Sequence, residues 1–153
     1  MKMNVRSARS EDASFIVESN CRMATETESL SLDRETVDRG VRAVLEDASK
    51  GRYFLATIDD VPVGQLMITF EWSDWRNGMI WWIQSVYVAP DYRRRGVFTA
   101  LYDHVRSLVS TSGGVGLRLY VEENNATAQR TYQRMGMGMS HYRVMEEMLS
   151  GRN

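Results

Sequence analysis

A single cysteine, Cys21, is the whole thiol content of this 153-residue chain. One thiol excludes an intramolecular disulfide framework and a multi-thiolate zinc site. On its apolar helical face it reads as a packed core thiol. Excess charge is also missing. With a formal net charge of −1 there is no broad basic field to gather nucleic acid or an anionic membrane surface, so any anion must be held locally. No stretch reaches the roughly 18 apolar residues of a membrane span, and the opening MKMNVRSARSED lacks the apolar run of a secretion signal. A cytoplasmic protein is the expectation. Repeats, low-complexity tracts and linkers are absent as well. The length suits one domain over residues 1–153 with one sizeable core.

What is present is a change of hydrophobic period along the chain. MNVRSA alternates briefly, as a first strand would. RSEDASFIVESNCRMA offers Ser10 as a helix cap, with acids in the first turn and Ile16, Val17, Cys21 and Ala24 on one face. TETESLSLD is polar and reads as a loop. DRETVDRGVRAVLEDAS places Val37, Val41, Val44, Leu45 and Ala48 at helical spacing. After Gly51 the pattern turns to strands: RYFLATI and the following apolar run joined by DDVP, then SDWRNG leading into MIWWIQSVYV, apolar enough for a central strand. The next helix carries Val97, Leu101, Val105, Leu108 and Val109, and SGG ends it. VGLRLYVEEN reads as a strand, NATAQRTYQRMG as a helix ending at Gly136, and MSHYRVMEEML as a final strand region. Strands dominate the first part of the sheet and alternate with helices later, which predicts a mixed sheet.

The stretch SVYVAPDYRRRGVFTALYDHV carries the chemistry. Arg93, Arg94 and Arg95 stand at the mouth of a helix, where the peptide dipoles are already positive and added cations destabilise unless an anion answers them. A phosphate at that turn would resolve the conflict, and Gly96 lets ligand oxygens approach the backbone. Neither Gly-x-x-x-x-Gly-Lys-Ser/Thr nor Gly-x-Gly-x-x-Gly occurs at this turn. Arg-x-x-Gly-x-Gly/Ala after a strand does, as Arg93 to Phe98, with Phe98 replacing the customary small residue. This turn resembles that of the GNAT superfamily of acetyl-CoA-dependent N-acetyltransferases. NATAQRTYQRMGM is similar to the superfamily's later motif, with Asn125, Ala128, Tyr132 and Gly136-Met137 at its positions and Thr131 where Leu is common.

The resemblance implies an α/β (α+β) fold, a mixed and mostly antiparallel sheet of about six to seven strands flanked by about four helices. A splayed parallel strand pair would hold the coenzyme. It implies that Val86, Tyr87 and Val88 meet the pantetheine arm of acetyl-CoA and that Arg93 to Thr99 (Arg93, Arg94, Arg95, Gly96, Val97, Phe98, Thr99) take the pyrophosphate. Asn125 would bond the arm, and Tyr132 would lie near the sulfur and protonate the leaving thiolate. No metal is called for. The reaction implied is direct acetyl transfer to a primary amine, with a backbone amide near Val88 stabilising the oxyanion.

The strand carboxylate common among relatives is replaced here by Gln84, followed by Ser85; both can hold a water but neither is a base. Substitute carboxylates are Glu26 and Glu28 in the loop between the first helices, or Glu71 and Asp74 near the hairpin, with Glu28 and Glu71 the preferred pair. His141 is a further base candidate, while His104 has no chemical argument. Trp72, Trp75, Trp81 and Trp82 all fall in one hairpin. They either pack the strands, contact a second copy, or, Trp75 and Trp82 especially, wall a cationic amine. The layout is similar to diamine and thialysine acetyltransferases, which favours a small-molecule amine; a homodimer fits the tryptophan hairpin. Met135, Met137 and Met139 read as adaptable packing. The alternative is a catalytically silent acetyl-CoA-binding sensor or partner module, which Gln84 supports.

Overall fold

The structure is a computed structural model and describes residues 2–153. In chain order the elements are β1 (Met3–Ser7), α1 (Ala13–Glu28), α2 (Arg34–Glu46), β2 (Arg52–Ile58), β3 (Val61–Ser73), β4 (Gly78–Val88), α3 (Val97–Thr111), β5 (Gly116–Leu119) and α4 (Ala126–Arg134). The strands form one sheet in the order β1-β2-β3-β4-β5. Each neighbouring pair is antiparallel except β4 and β5, which run parallel. The β2–β3 hairpin turns on Asp59 and Asp60, both at positive φ (50° and 68°), the backbone twist that matches two right-handed strands.

Alternation along the strands splits the core between the two faces. Phe54, Leu66, Ile68, Trp81 and Ile83 pack with Val97, Leu101, Val105 and Val109 of α3. Tyr53 and Leu55 pack on the other face with Ile16 and Val17 of α1 and Val41 of α2, and Cys21 lies partly buried against that cluster. Gly64 on β3 is what lets α3 sit close. A Cβ there would stand 3.0 Å from both the Tyr87 carbonyl oxygen and Val97 Cγ1. The first turn of α3 is thereby pressed onto the sheet beside the end of β4.

Four sequence expectations are corrected. The sheet has five strands, not six or seven. Residues 139–149, expected as a last strand, form neither strand nor helix. Glu26 and Glu28 lie in the last turn of α1 rather than in a loop, since the helix runs to Glu28 before Ser29 turns left-handed. The polar TETE run stays helical because it is the solvent side of an element already nucleated by its buried face. Ser10 is not the cap: Ser10–Asp12 is a 3-10 turn, held by Asp12.

Asp12 is buried, and its carboxylate accepts from Arg6 Nη1 (2.8 Å), Arg6 Nη2 (3.1 Å) and the Arg9 backbone N–H (2.7 Å). The Arg6 guanidinium holds the Asp12 pKa below the ordinary 3.8. Asp12→Asn should therefore cost about 2 kcal/mol of stability, measured by urea unfolding at pH 7. A depressed carboxylate pKa contributes stability that is present above its unfolded value. In the wild type the contribution should thus fade only as pH falls below about 4, and in the variant that part of the acid dependence should be gone.

Candidate functional site

The sheet opens where β4 outruns β5. Their pairing runs from Ile80↔Gly116 to Ile83↔Leu119 and stops there, while β4 continues to Val88. On its other side β4 stays paired with β3 to its end, Gly64↔Val88. The Ala89 N–H donates to the Val63 carbonyl at 2.8 Å, which fixes the antiparallel alternation. Tyr87 spends its backbone groups on Gln65. Val86 and Val88 turn theirs toward the side that β5 has vacated. Of the three residues expected to lack strand partners, Tyr87 is therefore served by β3, and Val86 and Val88 present the open edge.

Just before this edge the register passes from Met67↔Ser85 to Ile68↔Ile83. Gln84 is the extra residue of a bulge, which turns Gln84 and Ser85 to the same region. Gln84 Nε2 donates to Thr69 Oγ1 at 2.7 Å.

The arginine turn follows. Arg94 has φ 63° and Gly96 φ 82°, so the chain coils tightly before α3 begins at Val97. The N–H groups of Gly96, Val97, Phe98 and Thr99 have no hydrogen-bond acceptor among the described residues, the first closed bond being Ala100 N–H to the Gly96 carbonyl at 3.0 Å. A Cβ on Gly96 would meet nothing within 4 Å, so the space beside Gly96 is open.

The three arginines divide. Arg93 Nε donates to the Val88 carbonyl (2.9 Å), its Nη2 reaches Glu26 Oε2 (2.9 Å), and its guanidinium lies 5.4 Å from the Tyr87 ring centre. It is tied to α1 and β4. Arg95 lies over Tyr92 at 5.5 Å, and Arg94 is exposed with no ion-pair partner among the described residues.

Helix α4 is capped by Asn125, whose Oδ1 accepts from the Ala128 N–H at 3.0 Å. This leaves the Asn125 amide NH2 as a donor. Tyr132 packs edge-on against Phe98, ring centres 5.7 Å apart. Phe98, the departure from a small residue at the turn, is thus a contact between α3 and α4. Burial raises the Tyr132 phenol above its ordinary pKa of 10.0, so it is fully protonated at neutral pH, and its hydroxyl makes no hydrogen bond among the described residues.

The carboxylates and tryptophans do not converge on one spot. Glu26 Oε1 accepts from the Tyr87 hydroxyl at 3.4 Å while Oε2 holds Arg93. Glu28 is exposed at the end of α1. Glu71 Oε1 accepts from the Trp82 indole N–H (2.7 Å) and Oε2 from Arg118 (2.9 Å). Asp74 and Trp75 sit at the hairpin tip, with Trp75 91 % exposed. Trp81 is core, edge-on to Phe70, and Trp72 is largely exposed. His141 lies in the exposed C-terminal segment, and His104 packs against Phe54 on α3. Met135 and Met137 pack on the core, whereas Met139 is exposed.

Residues not singled out from sequence join these groups. Arg118 completes the Glu71–Trp82 cluster, and Tyr120 stacks on Trp82 with centroids 4.7 Å apart. The alternation of GLRLY held the signal, since it puts Arg118 and Tyr120 on the face opposite Leu117 and Leu119. Gln65, fully buried between α1 and the sheet, donates to Asn20 Oδ1 at 3.3 Å and leaves its own Oε1 without a partner. No side-chain periodicity flags it. Among the described residues there is no cluster of three or more His, Cys, Asp or Glu able to hold a metal, and no helix is long and apolar enough to cross a membrane.

Solved structures share this arrangement. A possible acetyltransferase from Clostridium difficile 630 is 40 % identical over 98 % of this chain and 99 % of its own, with a TM-score of 0.92. A ribosomal-protein-alanine N-acetyltransferase from Brucella melitensis biovar Abortus 2308 (14 % identity, TM-score 0.76, 96 % of this chain and 100 % of that one) shares the fold. So does an aminoglycoside acetyltransferase from an uncultured soil metagenomic sample, in complex with sisomicin (14 %, 0.76, 97 % of each chain). No curated protein matches. The acetyltransferase (GNAT) family matches residues 15–137, most of the chain, from within α1 to just past α4, and the protein belongs to that family.

Proposed function

We propose that this acetyltransferase moves the acetyl group of acetyl-CoA to the primary amine of a small molecule by direct transfer. One observation carries the reading: Val86 and the Val88 N–H offer backbone groups to the gap beyond Leu119, the Val88 carbonyl being held by Arg93, and the same strand leads into the unpartnered N–H groups of Gly96–Thr99. A sheet edge with missing ladder partners suits the amides of a pantetheine arm. A helix N-terminus with open space above it suits a pyrophosphate. Acetyl-CoA, when bound, supplies the acyl group as an activated thioester.

The remaining work falls to the chain. The Val88 N–H points into the gap and is the donor for the oxyanion of the tetrahedral intermediate. Tyr132, a protonated phenol at neutral pH, donates its phenolic proton to the departing thiolate. Arg94 and Arg95 would pair with the phosphates, and the free Asn125 Nδ2 would donate to the pantetheine arm. The attacking amine must first lose a proton. Glu26 and Glu71 have both oxygens engaged, so a water on Gln84 and Ser85 takes that proton toward solvent. The Glu71, Trp82 and Tyr120 cluster, an acid beside stacked rings, supports a cationic amine as acceptor. A structural neighbour that is an aminoglycoside acetyltransferase holding sisomicin is in keeping with an amine-bearing small molecule.

The test is thiol release from acetyl-CoA against a panel of polyamines, amino sugars and amino-acid amines. Release should require an amine and rise with pH as the ammonium deprotonates. Tight acetyl-CoA binding with no thiol released for any amine would favour a silent coenzyme-binding module, which the absence of a free carboxylate at Gln84 supports.

A further inference from the structure

On the side of the sheet that faces α1 and α2, the helices cover Tyr53, Leu55 and Met67. Farther along β3 the same side carries Thr69 and Glu71, next to Trp82 and Gln84 on β4 and Arg118 and Tyr120 at β5. None of these six belongs to either core cluster. Among them the Glu71 carboxylate is satisfied, one oxygen by the Trp82 indole and the other by Arg118. Arg118 itself is not satisfied. It spends Nη1 on Glu71 at 2.9 Å, while Nε and Nη2 meet no acceptor among the described residues. Its guanidinium is nonetheless pinned, 6.0 Å from the centre of the Trp82 ring, with the side chain only 33 % exposed. A pinned guanidinium with unspent donors in one plane is a fork for an anion.

The surroundings select the anion. Glu71 beside the fork repels a phosphate dianion twice as strongly as a carboxylate. The coenzyme's own phosphates are also out of reach. Arg118 stands opposite Trp82, and at about 3.3 Å per residue β4 runs on the order of 15–20 Å from there to Val88. The turn at Gly96–Thr99 lies farther on. A carboxylate on the acceptor is left. The attacking amine has to meet the acetyl group at the Val88 N–H, and contacts at the two ends take up roughly 3 Å each. On the order of 10 Å then separates carboxylate from amine, too far for both to sit on one carbon.

We propose that Arg118 binds a carboxylate on the acceptor, and that the acceptor is an amino acid whose reacting amine stands at the far end of a methylene chain from that carboxylate. The chain runs past the stacked Trp82 and Tyr120 rings, an apolar track between the two polar ends. Glu71 is then a positioning residue that aims the guanidinium. The amine end rests on the acetyl transfer proposed above, whereas the carboxylate end rests on the unspent Arg118 donors alone.

The test sets glycine, 4-aminobutanoate, 6-aminohexanoate and 8-aminooctanoate against the carboxamide of each. Thiol release from acetyl-CoA gives kcat/KM, and calorimetry on the CoA-saturated protein gives affinity. The longer acids should exceed their amides by about tenfold in both, and glycine should show no such advantage. Arg118→Gln should abolish the advantage through KM, while release of Glu71 Oε2 improves the cationic amides; Arg118→Lys should keep part of it. A merely structural Arg118 would lower acids and amides alike, and that result overturns the proposal. Equal affinity for acids and amides at every length overturns it too, as does no binding of any acid. Carboxylate-dependent binding without thiol release upholds the subsite and removes the transfer reaction. Thiol release with no preference for acids does the reverse.

Discussion

Replacing Tyr132 by Phe is expected to lower turnover about 100-fold or more while leaving the dissociation constant for CoA within about threefold of wild type. The phenol makes no hydrogen bond within the described chain, so removing it breaks nothing that holds α4. The ring contact with Phe98 survives in the variant. What is lost is the phenolic proton, present at neutral pH and held more firmly by burial, and it is needed only as the thiolate departs. An effect on the chemical step without one on binding is the signature of an interaction made in the transition state. Stopped-flow thiol detection together with calorimetric titration of CoA reads both quantities. Turnover equal to wild type would remove Tyr132 from the reaction and leave it as packing between α3 and α4.

The second large effect is expected at the arginine turn, and it separates three residues that look alike in sequence. Arg94→Glu with Arg95→Glu should weaken CoA binding about 100-fold, as two charge-assisted contacts of about 1.5 kcal/mol each are lost. The same variant should flatten the dependence of affinity on salt, since exposed charges act through a screened field. Arg93→Ala should behave differently. Its guanidinium bridges the Val88 carbonyl and Glu26, so the substitution should lower the melting temperature and change the acceptor KM more than the affinity for CoA. Calorimetry at two ionic strengths and a thermal melt distinguish the two outcomes. If the double reversal leaves CoA affinity and its salt slope unchanged, the phosphates do not lie at this turn.

Much of this was legible before any coordinates. The 3.6 and 2.0 periods marked α1, α2, α3 and the three central strands because one face of each is buried and burial imposes its period on the sequence. The turn at Gly96 was local, hence readable, whereas the capping of α4 by Asn125 went unread. The last strand was expected from the apolar Tyr142, Val144 and Met145 of MSHYRVMEEML, but such residues do not by themselves supply the neighbouring strand that a sheet requires. The carboxylates could not be ranked from sequence for a related reason. Sequence shows that Glu26 and Glu71 exist near the right elements, yet whether a carboxylate is free depends on Arg93 and Arg118, distant in the chain.

The sequence by itself determined the elements, the phosphate-like turn and the family, since each rests on residues a few positions apart acting through backbone geometry. Only the tertiary structure decided that β5 stops at Leu119 while β4 runs on to Val88, that Arg93 is spent on Glu26, and that Tyr132 is shielded. Those facts depend on distances between segments far apart in the chain, and short-range periodicity carries no information about them.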